Sequence, residues 1–72
     1  MQKYRTGASV EWKWGTGTGT GKIRQSFTDD VERTIEGAVI KRKASPEEPA
    51  YLIEQEDGGR VLKSHSELHR HG

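Results

Sequence analysis

Two stretches of this chain carry residue types that invite chemistry: the run Gly15-Thr16-Gly17-Thr18-Gly19-Thr20-Gly21-Lys22, and the C-terminal set His65, Glu67, His69 and His71. The first has the composition of a phosphate loop without its spacing. That loop requires a glycine five positions ahead of the Gly-Lys pair and a Ser or Thr directly after it; Thr16 and Ile23 hold those positions here. A dinucleotide fingerprint fails too, because its third glycine falls on Thr20 or Lys22. No long helix follows to aim an N-terminal dipole at a phosphate. Among the histidines, His65 and His69 share a face only on a helix, and Ser64–Leu68 supplies a single turn. The Glu of His65-Ser66-Glu67-Leu68-His69 sits at the wrong offset for the zinc-protease motif, where it directly follows the first His. No metal and no cofactor are expected. There is no cysteine nucleophile. Ser66 beside His65 and Glu67 is adjacency in sequence, whereas a triad is a spatial arrangement. A domain this small is also expected to lack a cavity of small-molecule size. The expectation is a protein that is not an enzyme.

Aromatic and basic side chains are the remaining candidates. Trp14, Trp12, Tyr51 and Phe27 form the candidate ligand-binding set, with Trp12 and Tyr51 also the natural core residues. Trp14 is the last residue before a run in which every second residue is glycine, so no bulky neighbour in sequence closes over it. That places it on a rim, and exposed Trp is over-represented among binding hot spots. The alternative is a nucleic-acid surface built from Lys22, Arg24, Lys41, Arg42 and Lys43. A net charge of +1 argues against a strong non-specific grip on nucleic acid. The clustered charges read first as solvated surface.

The elements that must position these residues follow from periodicity. The 72 residues make one domain, with an ordered core over about 7–70 and a loose lead-in before it. Val10, Trp12 and Trp14 alternate with Glu11 and Lys13, which predicts a half-buried strand over Ser9–Trp14. The Gly/Thr run reads as a loop that becomes strand near Thr20 and continues to Phe27, with Ile23 inward. Thr28-Asp29-Asp30 is a turn. One further strand is expected over Glu32–Lys43, bent or bulged at Gly37, and Ser45–Pro49 ends it. Ala50–Glu56 follows with Tyr51 and Ile53 inward; Asp57-Gly58-Gly59 then marks a hairpin into Arg60–Lys63. Ser64 and Glu67 have capping-box spacing for one 3₁₀-like turn. With this register Leu52 and Ile40 point outward, an apolar strip suited to self-association. No stretch approaches a membrane span. The first residues carry no apolar run of the kind a signal peptide needs, so the cytoplasm is the default location. The sum is an all-β barrel of five or six short, bent strands with one 3₁₀-like turn near the C-terminus.

In their order and spacing, Val10-x-Trp12 before a Gly-rich segment, Gly21-Lys22-Ile23, Arg42-x-Ala44-Ser45, Pro49-x-Tyr51, Gly58 and Leu62-Lys63-Ser64 resemble the hypervirulence-associated protein Tudor-domain family, small bacterial and fungal proteins. The resemblance spans about Gly7–Leu68. It implies an SH3-like, Tudor-type barrel and, from that fold, a binding module. It does not carry a methyl-lysine reader over, since the supply of aromatics is thin, and fold alone does not fix function. A weaker resemblance is to the RNA- and ribosome-associated barrels of the KOW type. Recognition of a peptide or protein is the leading expectation, with nucleic acid as the alternative.

Overall fold

The computed structural model describes residues 3–71. Strand β1 (Ser9–Trp14) is antiparallel to β2 (Gly17–Phe27). The two-residue turn Gly15-Thr16 joins them, with Gly15 at φ 52. A glycine at the first central position is what a II′ hairpin turn favours. The Gly/Thr run is therefore strand from Gly17 onward, where the sequence reading placed a loop as far as Thr20. The physical reason lies in the register: Gly17 faces Trp14, Gly19 faces Trp12 and Gly21 faces Val10. Directly opposed residues share a face of the ribbon, so Gly17 and Gly19 leave bare backbone for the indoles of Trp14 and Trp12, while Gly21 leaves room for Ile53 and the Glu54 carbonyl of the neighbouring strand. A Cβ on Gly19 would stand 2.5 Å from Trp12 Cε2.

A second correction concerns the stretch read as one strand over Glu32–Lys43. It is a hairpin of β3 (Val31–Ile35) and β4 (Ala38–Arg42). Glu36 at φ 51 and Gly37 at φ 81 form its turn, the two left-handed residues of a type I′ connection. The bulge expected at Gly37 lies instead in β2, where the register against the next strand shifts between Ile23 and Gln25. That strand is β5 (Ala50–Gln55), which turns at Glu56–Gly59 into β6 (Arg60–Ser64). A 3₁₀ turn over His65–Glu67 leads to the short β7 (His69–Arg70), paired with Val10 and Glu11. The sheet order is β6-β5-β2-β1-β7, with β3-β4 as a separate two-stranded sheet.

Consecutive residues of β5 are buried, Ala50, Tyr51 and Ile53 completely, because the strand is covered on both faces. Tyr51 and Ile53 join Val10, Trp12, Ile23 and Leu68 in one apolar cluster. Ala50 joins Val31 and Leu62 in another, covered by Phe27, Ile35, Ile40 and Ala44. The outward apolar strip expected from Leu52 and Ile40 does not form. Ile40 is turned against the second cluster because the hairpin resets its parity. Leu52 is half-buried opposite Leu62. The lead-in is also docked further than expected. Gly7 N–H donates to the Ile23 carbonyl at 2.7 Å, and Tyr4 packs on the first cluster. Met1, Gln2 and Gly72 lie outside the described residues.

Candidate functional site

The candidate aromatics have different fates. Trp12 and Tyr51 are buried at 3% and 0% exposure, whereas Trp14 is 62% exposed. All three residues Val10, Trp12 and Trp14 lie on one face of β1, yet cover is missing only for the last. β5 pairs with β2 no further toward the turn than Gly21, and β7 reaches only Glu11 on the other side of β1. The ribbon beyond these points projects from the sheet. Trp14 sits on it with its ring beside Gly17, whose built Cβ position is 3.8 Å from Trp14 Cε2. Phe27 is at the opposite end of β2 from Gly17, half-buried in the second cluster, with the Arg33 guanidinium 4.7 Å above its ring. The four aromatics thus form no common surface. Trp14 stands alone at its rim.

Sequence reasoning missed a polar cluster inside the first core. The Tyr4 amide donates to the Tyr51 hydroxyl at 3.2 Å, and that hydroxyl lies 3.0 Å from His65 Nδ1. The phenol oxygen accepts from Tyr4 and can donate its own proton to His65 Nδ1 in the tautomer that carries the ring proton on Nε2. Burial is the main reason that the Tyr51 hydroxyl ionises above its usual range, although the Tyr4 amide pulls the other way. The Tyr4 ring lies 5.0 Å from that of His65 and 5.6 Å from that of Tyr51. This arrangement satisfies buried polar atoms. Among the described residues, the hydrogen-bond partner of the His65 ring is a phenol held above its ordinary pKa, not a serine or cysteine nucleophile.

The histidine set does not converge. His65 is in the core, while His71 Nδ1 is 3.4 Å from Glu11 Oε1 at the surface. Among the described residues no three His, Cys, Asp or Glu side chains come together as a metal site would need. Glu67 has a structural role: it accepts from the Ser64 amide at 2.8 Å and from Arg42 Nε at 3.0 Å, with Lys63 Nζ at 3.8 Å. Partial burial opposes its ionisation. The Ser64 amide, Arg42 and Lys63 outweigh that and hold its carboxyl below the usual value.

The basic positions singled out from sequence are largely spoken for and lie on two different sheets. Arg24 pairs with Glu54 at 3.4 Å, Lys41 with Glu32 at 3.5 Å and Arg42 with Glu67. Lys22 and Arg24 border one surface groove of about 450 Å³ together with Glu54 and Glu56. Lys41, Arg42 and Lys43 border another of about 460 Å³ that also contains Asp30 and Glu32. These open grooves correct the expectation that a domain of this size has no hollow of several hundred Å³. They form between strands and turns at the surface, where a volume argument based on the core does not apply.

Short antiparallel strands bent around two small apolar clusters, with one 3₁₀ turn before the last strand, define an SH3-like barrel of the Tudor type. This class is in general a non-catalytic binding fold. The family model described as the hypervirulence associated proteins TUDOR domain matches residues 7–68, and the chain belongs to that family. No curated protein and no solved structure matches the chain. Among the described residues, no helix is long and apolar enough to cross a membrane.

Proposed function

We propose that this domain is a non-enzymatic module that recognises a peptide or protein segment at the projecting end of the β1–β2 ribbon, with Trp14 as the anchor. The observation that carries the reading is the 62% exposure of Trp14 on a ribbon whose other large aromatic, Trp12, is buried. A Trp left in water exposes a large apolar area that a partner can desolvate. Beyond Glu11, β1 has a strand partner on one side only. Trp12 and Trp14 exchange their backbone hydrogen bonds with β2, so on the other edge the Lys13 N–H and C=O are open to an extended segment added as a further strand. Trp12 and Tyr51 support the rim from within, and Phe27 serves the second cluster.

The test compares wild type with Trp14→Ala in capture from lysate, with nuclease added throughout. We expect Trp14→Ala to lose the captured protein while its thermal midpoint stays close to that of wild type. Trp12→Ala, by contrast, should cost about 3–5 kcal/mol and unfold so small a domain. Equal destabilisation by both substitutions would show that Trp14 is part of the core and overturn the assignment.

A further inference from the structure

The fold assembles a basic groove that is invisible in sequence, because its two halves come from opposite ends of the chain. Lys3 and Arg5 flank Tyr4, which is fixed by its ring against His65 and by its hydroxyl, which donates to the Leu68 carbonyl at 3.3 Å. Arg70 is held opposite Val10 by β7, and the His71 amide donates to the Ser9 carbonyl at 3.1 Å. Lys3, Arg5 and Arg70 border one open groove of about 660 Å³, with His71 at its edge. Between them lie Tyr4, Ala8 and Ser9, and among the described residues no carboxylate side chain lines the groove.

Lack of an ion pair does not by itself distinguish these cations, since Lys13, Lys22, Arg33, Lys43 and Arg60 have none among the described residues either; their convergence on one groove does. Arg24, Lys41 and Arg42 each face a glutamate within ion-pair distance. Lys3, Arg5 and Arg70 have no ion pair among the described residues; Glu11 meets His71 at the groove's edge, 3.4 Å from its Nδ1. A chain of net charge +1 thus gathers in one concavity three cations that have no ion pair among the described residues. Two of them are guanidinium groups, whose planar forks match phosphate oxygens. Tyr4, half-buried, contributes a phenol ring to the lining, and His71 an imidazole at its edge. A cationic groove with an aromatic wall is the composition that tracks a single nucleic-acid strand by its phosphates, without reading base edges. The lining has too little apolar surface for lipid insertion.

We propose that this groove binds the phosphodiester backbone of single-stranded nucleic acid through Lys3, Arg5 and Arg70. It lies at the start of β1, roughly 17 Å of strand from Trp14, and does not rest on the peptide-binding reading.

The experiment is fluorescence anisotropy with a labelled oligothymidylate of about twelve nucleotides across a fourfold range of sodium chloride. Three phosphate contacts on a single strand give a slope of log K against log salt near −2, or about a fifteenfold loss of affinity over that range. Arg5→Gln/Arg70→Gln should leave one contact and reduce the loss to roughly threefold. Lys3→Gln/Arg5→Gln, which touches no strand, should do the same and guards against a β7 defect. Lys41→Gln/Lys43→Gln and Trp14→Ala should keep the wild-type slope. No binding, or an unchanged slope in both groove variants when circular dichroism shows them folded, overturns the proposal. Displacement of the strand by inorganic phosphate at constant ionic strength also overturns it, and assigns the groove to a free phosphate.

Discussion

The three glycines of β2 that oppose Val10, Trp12 and Trp14 each follow a threonine, yet replacing each by alanine should give a different result. A Cβ added at Gly19 would lie 2.5 Å from Trp12 Cε2 and 2.6 Å from its Nε1. Carbon atoms pack best at about 3.5–4.0 Å, so the indole must retreat by roughly 1 Å. It is buried and bounded by the first apolar cluster, so the retreat strains its neighbours. Overpacking of this kind costs about 1–3 kcal/mol. Alanine returns roughly 0.4–1 kcal/mol by restricting the unfolded chain. The net loss is about 1–2 kcal/mol, or roughly 5–15 °C in thermal midpoint for a domain of this size. At Gly17 the nearest atom to the added Cβ is 3.8 Å away and belongs to exposed Trp14. With no clash and no left-handed φ, Gly17→Ala should be neutral or stabilising by up to about 1 kcal/mol. At Gly21 the obstacle is the Glu54 carbonyl oxygen at 2.6 Å. Backbone cannot rotate aside as a side chain can, so Gly21→Ala should cost at least as much as Gly19→Ala by spreading β2 from β5. Urea titrations followed by Trp fluorescence and circular dichroism give the ranking. Equal losses at all three positions would refute the reasoning, because they would mean that alanine acts on the strand generally and that the glycines are not seats for particular neighbours.

Three further perturbations follow from the geometry. Tyr51→Phe removes the hydroxyl that joins the Tyr4 amide to His65 Nδ1; two buried polar groups lose their partner, and urea unfolding should show a loss of about 1–3 kcal/mol. Glu67 is held below its ordinary pKa when folded, so its contribution is present at neutral pH and is lost as pH falls from near the unfolded value of 4.5 through the lower folded one. Glu67→Gln should therefore show a smaller drop in thermal midpoint on acidification than wild type, and an identical drop would remove the residue from the acid response. Glu36 occupies a left-handed conformation at φ 51. Glu36→Asn should recover part of the roughly 1–2 kcal/mol that such a conformation costs an ordinary residue, read as a rise in the urea midpoint; a fall would mean that the Glu36 side chain has a partner role that its φ does not reveal.

What could be read from the sequence was whatever depends on neighbours in sequence. The alternation of Val10, Trp12 and Trp14 specifies β1, Tyr51 and Ile53 specify the inner face of β5, and the Ser64–Glu67 spacing specifies the turn in which the Glu67 carboxylate meets the Ser64 amide. The Glu36-Gly37 hairpin was hidden because its first turn residue is neither Asn, Asp nor Gly, the types that adopt left-handed backbone at least cost. Missing it reversed the parity of Ile40 and, with it, the expected exposed strip. Gly17, Gly19 and Gly21 read as loop because isolated glycine weakens a strand. Their role appears only when Trp14, Trp12 and Val10 are laid across from them, which is information about pairing.

The same limit decides the candidate sites. Alternation states that Trp12 and Trp14 share a face but not where the barrel ends along that face. The end is set by how far β5 and β7 reach: to Gly21 on one side and Glu11 on the other. Two residue pairs further along the ribbon, the same residue type passes from 3% to 62% exposure. The basic groove is the complementary case. Five cations prominent in sequence are spread over two sheets and mostly paired with glutamates, while Lys3, Arg5 and Arg70, unremarked in sequence, are brought together by the docking of Tyr4 and the pairing of β7. On a barrel this small the core consumes most of the apolar side chains. The surfaces left for the proposed binding are then the β1–β2 tip, where strand pairing stops, and the groove, where Lys3–Arg5 and Arg70 come together.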